Sequence, residues 1–339
     1  QLLQAGSVDA ATLQDWGVTE AAALAQRLQE FDPATLGTAE RLNVPDFHYQ
    51  RWLLQYGEGG AAALARALNQ PARVDLRVNT LKATRDSARA RLAEEGLRAE
   101  PTARSPLGLR LPGRAPLQNL ALFREGWIEP QDEGSQLIAL LLAVQPGETV
   151  VDFCAGAGGK TLALAAQLRD RGRLLACDNS AARLQRLQPR LQRAGVGCVQ
   201  ALPLRDEHDP LLDAHAGRCD AVLVDAPCSA TGTWRRNPEL RLREPGLDTL
   251  QQQQRSILQA AARLLRPGGR LVYATCSLMA EENEQVVESF LTAHPQFQLQ
   301  DAGTLLQAQG ADYEGAVLRL LPHVDGTDGF YAVAMRRAE

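Results

Sequence analysis

Residues 149–161 read TVVDFCAGAGGKT. A short apolar run, Thr149 to Phe153, ends in a glycine-rich turn, and Lys160-Thr161 opens the amphipathic stretch 160–169. That order is strand, glycine loop, helix. Glycines there let a ligand approach the backbone at the carboxyl edge of a parallel sheet. A Walker A phosphate loop needs Gly where Cys154 stands, and a dinucleotide fingerprint starting at Gly156 needs Gly where Thr161 stands. Both readings fail. The looser glycine turn of S-adenosylmethionine-binding folds remains.

Outward from the loop the rhythm repeats. Apolar runs at 173–177, 219–224 and 270–276, with a weaker one at 197–202, alternate with amphipathic stretches at 180–194, 247–265 and 281–293. Strand–helix alternation predicts α/β architecture: a Rossmann-like, mostly parallel sheet with helices on both faces. Two strand-like runs within 315–337 predict a closing hairpin. Upstream, residues 1–70 read as an N-terminal helical segment, with Thr19 as a candidate N-cap and Asp32-Pro33 as a break. Residues 71–125 read as a small α+β module: a strand at 74–82, a helix from Thr84 to Glu95 and a Pro- and Gly-rich loop at 101–116. The catalytic domain is then 126–339.

Acids follow the strands. Asp178 ends the second, 26 residues after Asp152, where a carboxylate can accept both hydroxyls of a ribose. Asp206 follows the weak third strand and could face an adenine edge, and Asp225 ends the fourth. Each alone could be a turn or cap aspartate. Together they form one edge of a sheet beside a glycine loop.

The 339 residues carry 36 Lys+Arg and 40 Asp+Glu, net −4. Only Lys82 and Lys160 are lysine, so Lys160 in the glycine loop suggests a required compact ammonium. The total excludes a uniformly basic RNA binder, but the charge is uneven: net −4 over 1–70, +5 over 71–125 and −5 over 126–339. The basic segment and Arg235, Arg236, Arg241 and Arg243 are candidate phosphate contacts. The six cysteines are scattered singly with no C-x-x-C spacing, so no metal site is expected and reduced cytosolic thiols are. No run of about 20 apolar residues predicts a membrane span, and no signal peptide is visible from Gln1.

Cys177, Cys198 and Cys219 read as packing residues. Cys228 and Cys276 differ: each ends a strand at the ligand edge, in Pro227-Cys228-Ser229 and Thr275-Cys276-Ser277. Adjacent strands lie about 5 Å apart, so both thiols could face one reactant. A thiolate beside a methyl donor suits pyrimidine carbon-5 methylation. It adds at carbon 6, an acid assists at ring nitrogen 3, the carbon-5 proton is removed and the thiolate leaves. Asp225 and Lys160 are available to serve that ring. From these residues alone the two thiols could exchange roles.

DFCAGAGGKT (152–161), ACDNSAARL (176–184), VDAPCSATGTWRRNPE (224–239) and LVYATCSLMAEENE (271–284) resemble the RsmB/NOP/Sun family of S-adenosylmethionine-dependent RNA cytosine-5 methyltransferases. RVNTLK (77–82) and EGWIEPQDEGSQL (125–137) resemble its lead-in. The resemblance implies that Cys276 is the nucleophile, Cys228 aids release and Asp225 serves the cytosine. It places the cofactor, released as S-adenosylhomocysteine, against Cys154, Ala155, Gly156, Ala157, Gly158, Gly159, Lys160, Asp178, Asp206 and Asp225. Arg235, Arg236, Asn237 and Pro238 would lie beside the target base and its backbone. The family often has Pro where this chain has Ala157. Bacterial members often carry a larger helical RNA-binding domain in front, whereas here about 70 residues precede the first strand. The expected protein is a cytoplasmic monomer acting on RNA, small-subunit ribosomal RNA first. The same chemistry on tRNA, or a catalytically silent RNA-binding or ribosome-assembly protein, are the alternatives.

Overall fold

The computed structural model describes residues 9–339. Residues 1–8 of the expected helical segment lie outside the described residues. The described residues fall into two compact units, 9–51 and 52–339. The first contains the helices Ala10–Asp15, Ala21–Glu30 and Thr38–Arg41. Thr19 does not cap the second of these. Its N-cap is Glu20, in left-handed conformation with no side-chain cap bond. The helix Asp46–Leu68 begins in the first unit and is interrupted at Gly57, where φ is +68°.

In the larger unit, an antiparallel sheet comes first. Its strands are β1 (Val74–Val78), β2 (Glu100–Pro101), β3 (Gly108–Leu111) and β4 (Ile128–Pro130), in the order β2-β3-β1-β4. The helix Arg85–Glu94 starts at Thr84, whose hydroxyl accepts from the Ser87 amide. Its Ala88 and Leu92 pack against Leu76, Val78, Leu109 and Ile128. β2 and β3 fall where a loop was expected, because their short Pro- and Gly-bounded runs gain strand character only by pairing with each other and with β1. Asp75 and Arg77, which alternate with Val74, Leu76 and Val78 along β1, are both buried. Arg110 grips Asp75 through two hydrogen bonds, 2.7 and 2.9 Å, which lets that carboxylate leave water.

The second sheet runs β10-β12-β9-β8-β5-β6-β7, with β11 paired to β12. Its strands are β5 (Thr149–Asp152), β6 (Arg173–Asp178), β7 (Val199–Pro203), β8 (Cys219–Asp225), β9 (Leu265–Thr275), β10 (Phe297–Gln300), β11 (Leu318–Leu320) and β12 (Phe330–Arg337). β5 to β9 are mutually parallel, as the alternation predicted. β11 and β12 form the expected antiparallel hairpin, and β12 closes onto β9. β10, read as part of no element, pairs with β12 at the edge.

Apolar side chains cover both faces. Val150, Leu174, Leu223 and Val272 point into one core with Leu137, Leu164 and Leu306. Their chain neighbours Val151, Leu175, Val222 and Leu271 point into the other with Ile257, Leu258, Val286 and Phe290. Strands buried on both sides read as continuous apolar runs, which is why these were visible in the sequence. The order reverses between β5 and β8, and at such a switch point a crevice opens beyond the strand ends.

Candidate active site

The site is built at that crevice. After β5 the chain turns through Gly156 (φ +56°) and Gly158 (φ +86°) into the helix Gly159–Gln167. A side chain at Gly158 would meet Leu187 at 2.2 Å, so this glycine lets the loop pack on the helix Ala181–Ala194. The Ala155 amide donates to the Cys177 carbonyl, 2.8 Å, and Arg190 donates to the Ala157 carbonyl, 2.5 Å. The loop is therefore tied to β6 and to the helix that follows it.

A cavity of about 530 Å³ lies against this loop. Cys154, Ala155, Gly156, Ala157, Gly159, Lys160, Asp178, Asp206 and Asp225 all line it. Gly158 does not, because it faces Leu187. Asp178 is buried, and its two oxygens accept from the amides of Gly156 and Ser180, 2.8 and 2.7 Å. Asp206 is exposed and accepts from the His208 amide, 2.8 Å. Phe153, Leu204, Pro227 and Ile257 supply apolar wall. Acids outnumber bases around it: Asp152, Asp178, Asp206, Glu207 and Asp225 against Lys160 and Arg183. That balance suits a cationic ligand with an apolar ring and a diol, and repels a polyphosphate.

Two groups were not singled out from sequence. Asp152 is 1% exposed, accepts from the Thr161 hydroxyl at 2.7 Å and leaves Oδ1 without a partner. Burial pushes its carboxyl up to about 7, opposed by Thr161 and reinforced by Asp225. Gln131, from the lead-in segment, reaches the same cavity and donates to Ser135 at 3.1 Å.

Lys160 donates to Asp225 Oδ2 at 2.7 Å. Burial alone would lower the ammonium's pKa, but attraction and hydrogen bonding to Asp225 leave it raised. Cys276 is near enough to Lys160 to act on its charge. Cys228 Sγ and Cys276 Sγ are 3.5 Å apart, brought together by the neighbouring strands β8 and β9. The hydrogen bond to Cys276, then burial, holds the Cys228 thiol well above its ordinary value. It is held as S–H, and either sulfur can donate across the contact. The remaining cysteines are also free. Burial pushes Cys154 and Cys177 well up, Cys198 to about 12 and Cys219 to about 11, as unreactive packing thiols.

The arginine pair lies differently. Arg235's side chain is 5% exposed and donates to Asp328 Oδ1 at 3.0 Å and to the Gly326 carbonyl. Arg236 pairs with Asp328 Oδ2 and, at 3.0 Å, with Asp132. Burial, then repulsion by Asp328, raises the Asp132 carboxyl to about 6. Asn237 and Pro238 are exposed. Arg241, a further candidate contact, is buried and donates to Asn69 at 2.7 Å. Among the described residues no cluster of three His, Cys, Asp or Glu could hold a metal ion. No helix there is long and apolar enough to cross a membrane.

A parallel sheet in this strand order, with its glycine loop and acids at the switch point, defines a Rossmann-like methyltransferase fold. Within that class, the family model "16S rRNA methyltransferase RsmB/F" matches residues 139–336, and its ferredoxin-like domain model matches residues 44–118. The chain belongs to this family of S-adenosylmethionine-dependent methyltransferases. It is 35% identical over 311 residues to the "Probable ribosomal RNA small subunit methyltransferase B" of Synechocystis sp., covering 91% of this chain and 70% of that protein. The "Ribosomal RNA small subunit methyltransferase B" of Sodalis glossinidius is 36% identical over 315 residues, with the same coverage. A solved methyltransferase homolog from Pyrococcus horikoshii superposes with a TM-score of 0.77 at 28% identity. That match covers 91% of this chain and all of the other.

Proposed function

We propose that this protein methylates carbon 5 of a cytosine in small-subunit (16S) ribosomal RNA through a covalent Cys276–cytosine adduct. The observation that carries the reading is the 3.5 Å thiol pair beside the Lys160–Asp225 ion pair, whose two residues line an acid-rich cavity. An amino-group methyltransferase has no use for two thiols there. The names of the relatives support ribosomal RNA as the substrate.

S-adenosylmethionine, when bound, supplies an electrophilic methyl group and leaves as S-adenosylhomocysteine. Asp178 would hold the ribose, Asp206 the adenine edge, and Gly156 and its neighbours the amino-acid end. Cys276 gives its thiol proton to solvent and Sγ bonds to ring carbon 6, while the Asp225–Lys160 pair delivers a proton to nitrogen 3, which makes carbon 5 nucleophilic. After methyl transfer a water molecule accepts the carbon-5 proton. The Sγ–C6 bond then breaks, the ring double bond reforms and nitrogen 3 returns its proton to the pair. The Cys228 thiol stabilises the departing Cys276 thiolate by donating to it. Residues 71–125 serve as the RNA-facing module, with Asn237 and Pro238 beside the target base. Exposed Arg73, Arg89, Arg98, Arg114 and Arg124 make phosphate contacts. The enzyme works as a cytoplasmic monomer.

Cys228→Ala tests the covalent route. Incubated with cofactor and 16S ribosomal RNA, it should give a slow-migrating protein–RNA band on a denaturing gel. Bisulfite mapping of wild-type product should locate one protected cytosine. No adduct and no protected cytosine would overturn the proposal.

A further inference from the structure

We infer that Glu282 is a positioning residue: its carboxylate ties the loop after β8 to the loop after β9 and so sets the spacing of the two thiols. The catalytic meaning of that spacing rests on the function proposed above; the geometry does not.

Glu282 is fully buried. Its Oε1 accepts from the Ser229 amide at 2.8 Å and from the Gln254 side chain at 3.0 Å. Its Oε2 accepts from the hydroxyls of both Ser229 and Ser277. These serines directly follow Cys228 and Cys276. Gln254 also donates to the Pro227 carbonyl at 2.9 Å, so Cys228 is held on both sides. On the other loop, the Thr275 hydroxyl donates to Asn283 at 2.5 Å and Asn283 donates to the Ser277 carbonyl at 2.9 Å. Tyr273 fixes the clamp itself, donating to the Glu282 carbonyl at 2.7 Å.

All four donors to this carboxylate are neutral. A buried charge satisfied only by neutral donors costs stability against an apolar residue of similar size. What it gains is geometry, because one carboxylate accepts from two strand-end loops at once. Its charge also disfavours a thiolate on the nearby Cys228, which helps keep that thiol protonated. Two cysteines on adjacent strand ends do not by themselves face one another at contact distance. Their loops must be held, and here the tie reaches the residue after each thiol.

Phenylarsine oxide reads the spacing without RNA or cofactor. Its As=O condenses with two S–H groups to give a cyclic dithioarsine and one water. The second As–S bond is intramolecular, so its strength follows how closely the thiols are presented. Wild type should capture the arsenical in a one-to-one complex that Cys228→Ala cannot form. Glu282→Ala should weaken capture by about tenfold or more. Glu282→Gln, which can accept at one end and donate to the serine hydroxyls at the other, should recover most of it. In methyl transfer, Glu282→Ala should lower kcat and leave the cofactor KM unchanged. The double variant Ser229→Ala with Ser277→Ala removes both hydroxyl arms and should weaken capture in the same direction. Should Glu282→Ala not fold, that pair decides alone. Wild-type capture in the folded variants overturns the inference. If Cys276→Ala still methylates RNA while Glu282→Ala loosens arsenical capture, the proposed function fails and the positioning role stands.

Discussion

The two halves of the ligand edge use different chemistry. At β5, β6 and the loop after β7 the strand ends carry acids, and the thiol between them, Cys154, is forced toward its neutral form by burial and by Asp225, Asp152 and Asp178. β8 and β9 lead into two thiols in contact, and the buried Glu282 carboxylate accepts from neutral donors in the same two loops. A cysteine among acids is held in its neutral, unreactive form. On the proposed function the Lys160–Asp225 pair is the border, and one edge of one sheet would separate cofactor holding from bond making.

Removing the border should cost most. Asp225→Asn would leave Lys160 unpaired and the ring without its proton source. Methyl transfer should fall by about 10²–10⁴-fold, measured as single-turnover rate with saturating cofactor. A loss seen only in cofactor affinity would move Asp225 wholly to the acid half. Asp178→Ala should act on the other half alone. Equilibrium binding of cofactor should weaken by about 10–100-fold, the scale of a hydrogen-bonding carboxylate, with little change in rate at saturation. Comparable losses in both would blur the division.

Asp152 sharpens it through pH. Its folded pKa, about 7, lies above the ordinary carboxylate value, so the native state holds this proton after the unfolded chain has lost it. Stability contributed by the protonated form is therefore full below about pH 4 and declines as pH rises toward 7. Asp152→Asn imitates the neutral carboxyl. It should be more stable than wild type at pH 8 by roughly 1–3 kcal/mol, with the difference vanishing near pH 4, read by denaturant melts. The smallest effect lies outside the site. Arg114→Gln should weaken RNA binding uniformly and reduce the salt slope by about one.

The fold was legible where burial is local. Runs such as Val150-Val151 and Leu174-Leu175 needed only to be apolar on both sides, and the glycine loop announced the crevice. Short β2, β3 and β10 depend on partners elsewhere in the chain and left no periodic trace. The cavity was legible in the same way, since Asp178 and Asp225 end recognisable strands. Arg235 and Arg236 show the limit: they read as candidate phosphate contacts, but Asp328, some 90 residues on, pairs with both. Arg110 likewise spends its charge on Asp75. A charge count cannot see such pairing. Glu282 was hidden for the opposite reason, as one of several acids in a helix-opening run, with partners 53 and 28 residues away.

The central claim is that Cys276 is the bond-forming thiol. The direct measurement is single-turnover transfer of labelled methyl from S-adenosylmethionine to 16S ribosomal RNA by Cys276→Ala, with cofactor affinity measured on the same preparation. Affinity should match wild type and transfer should be abolished. Substantial transfer with intact affinity would contradict the account.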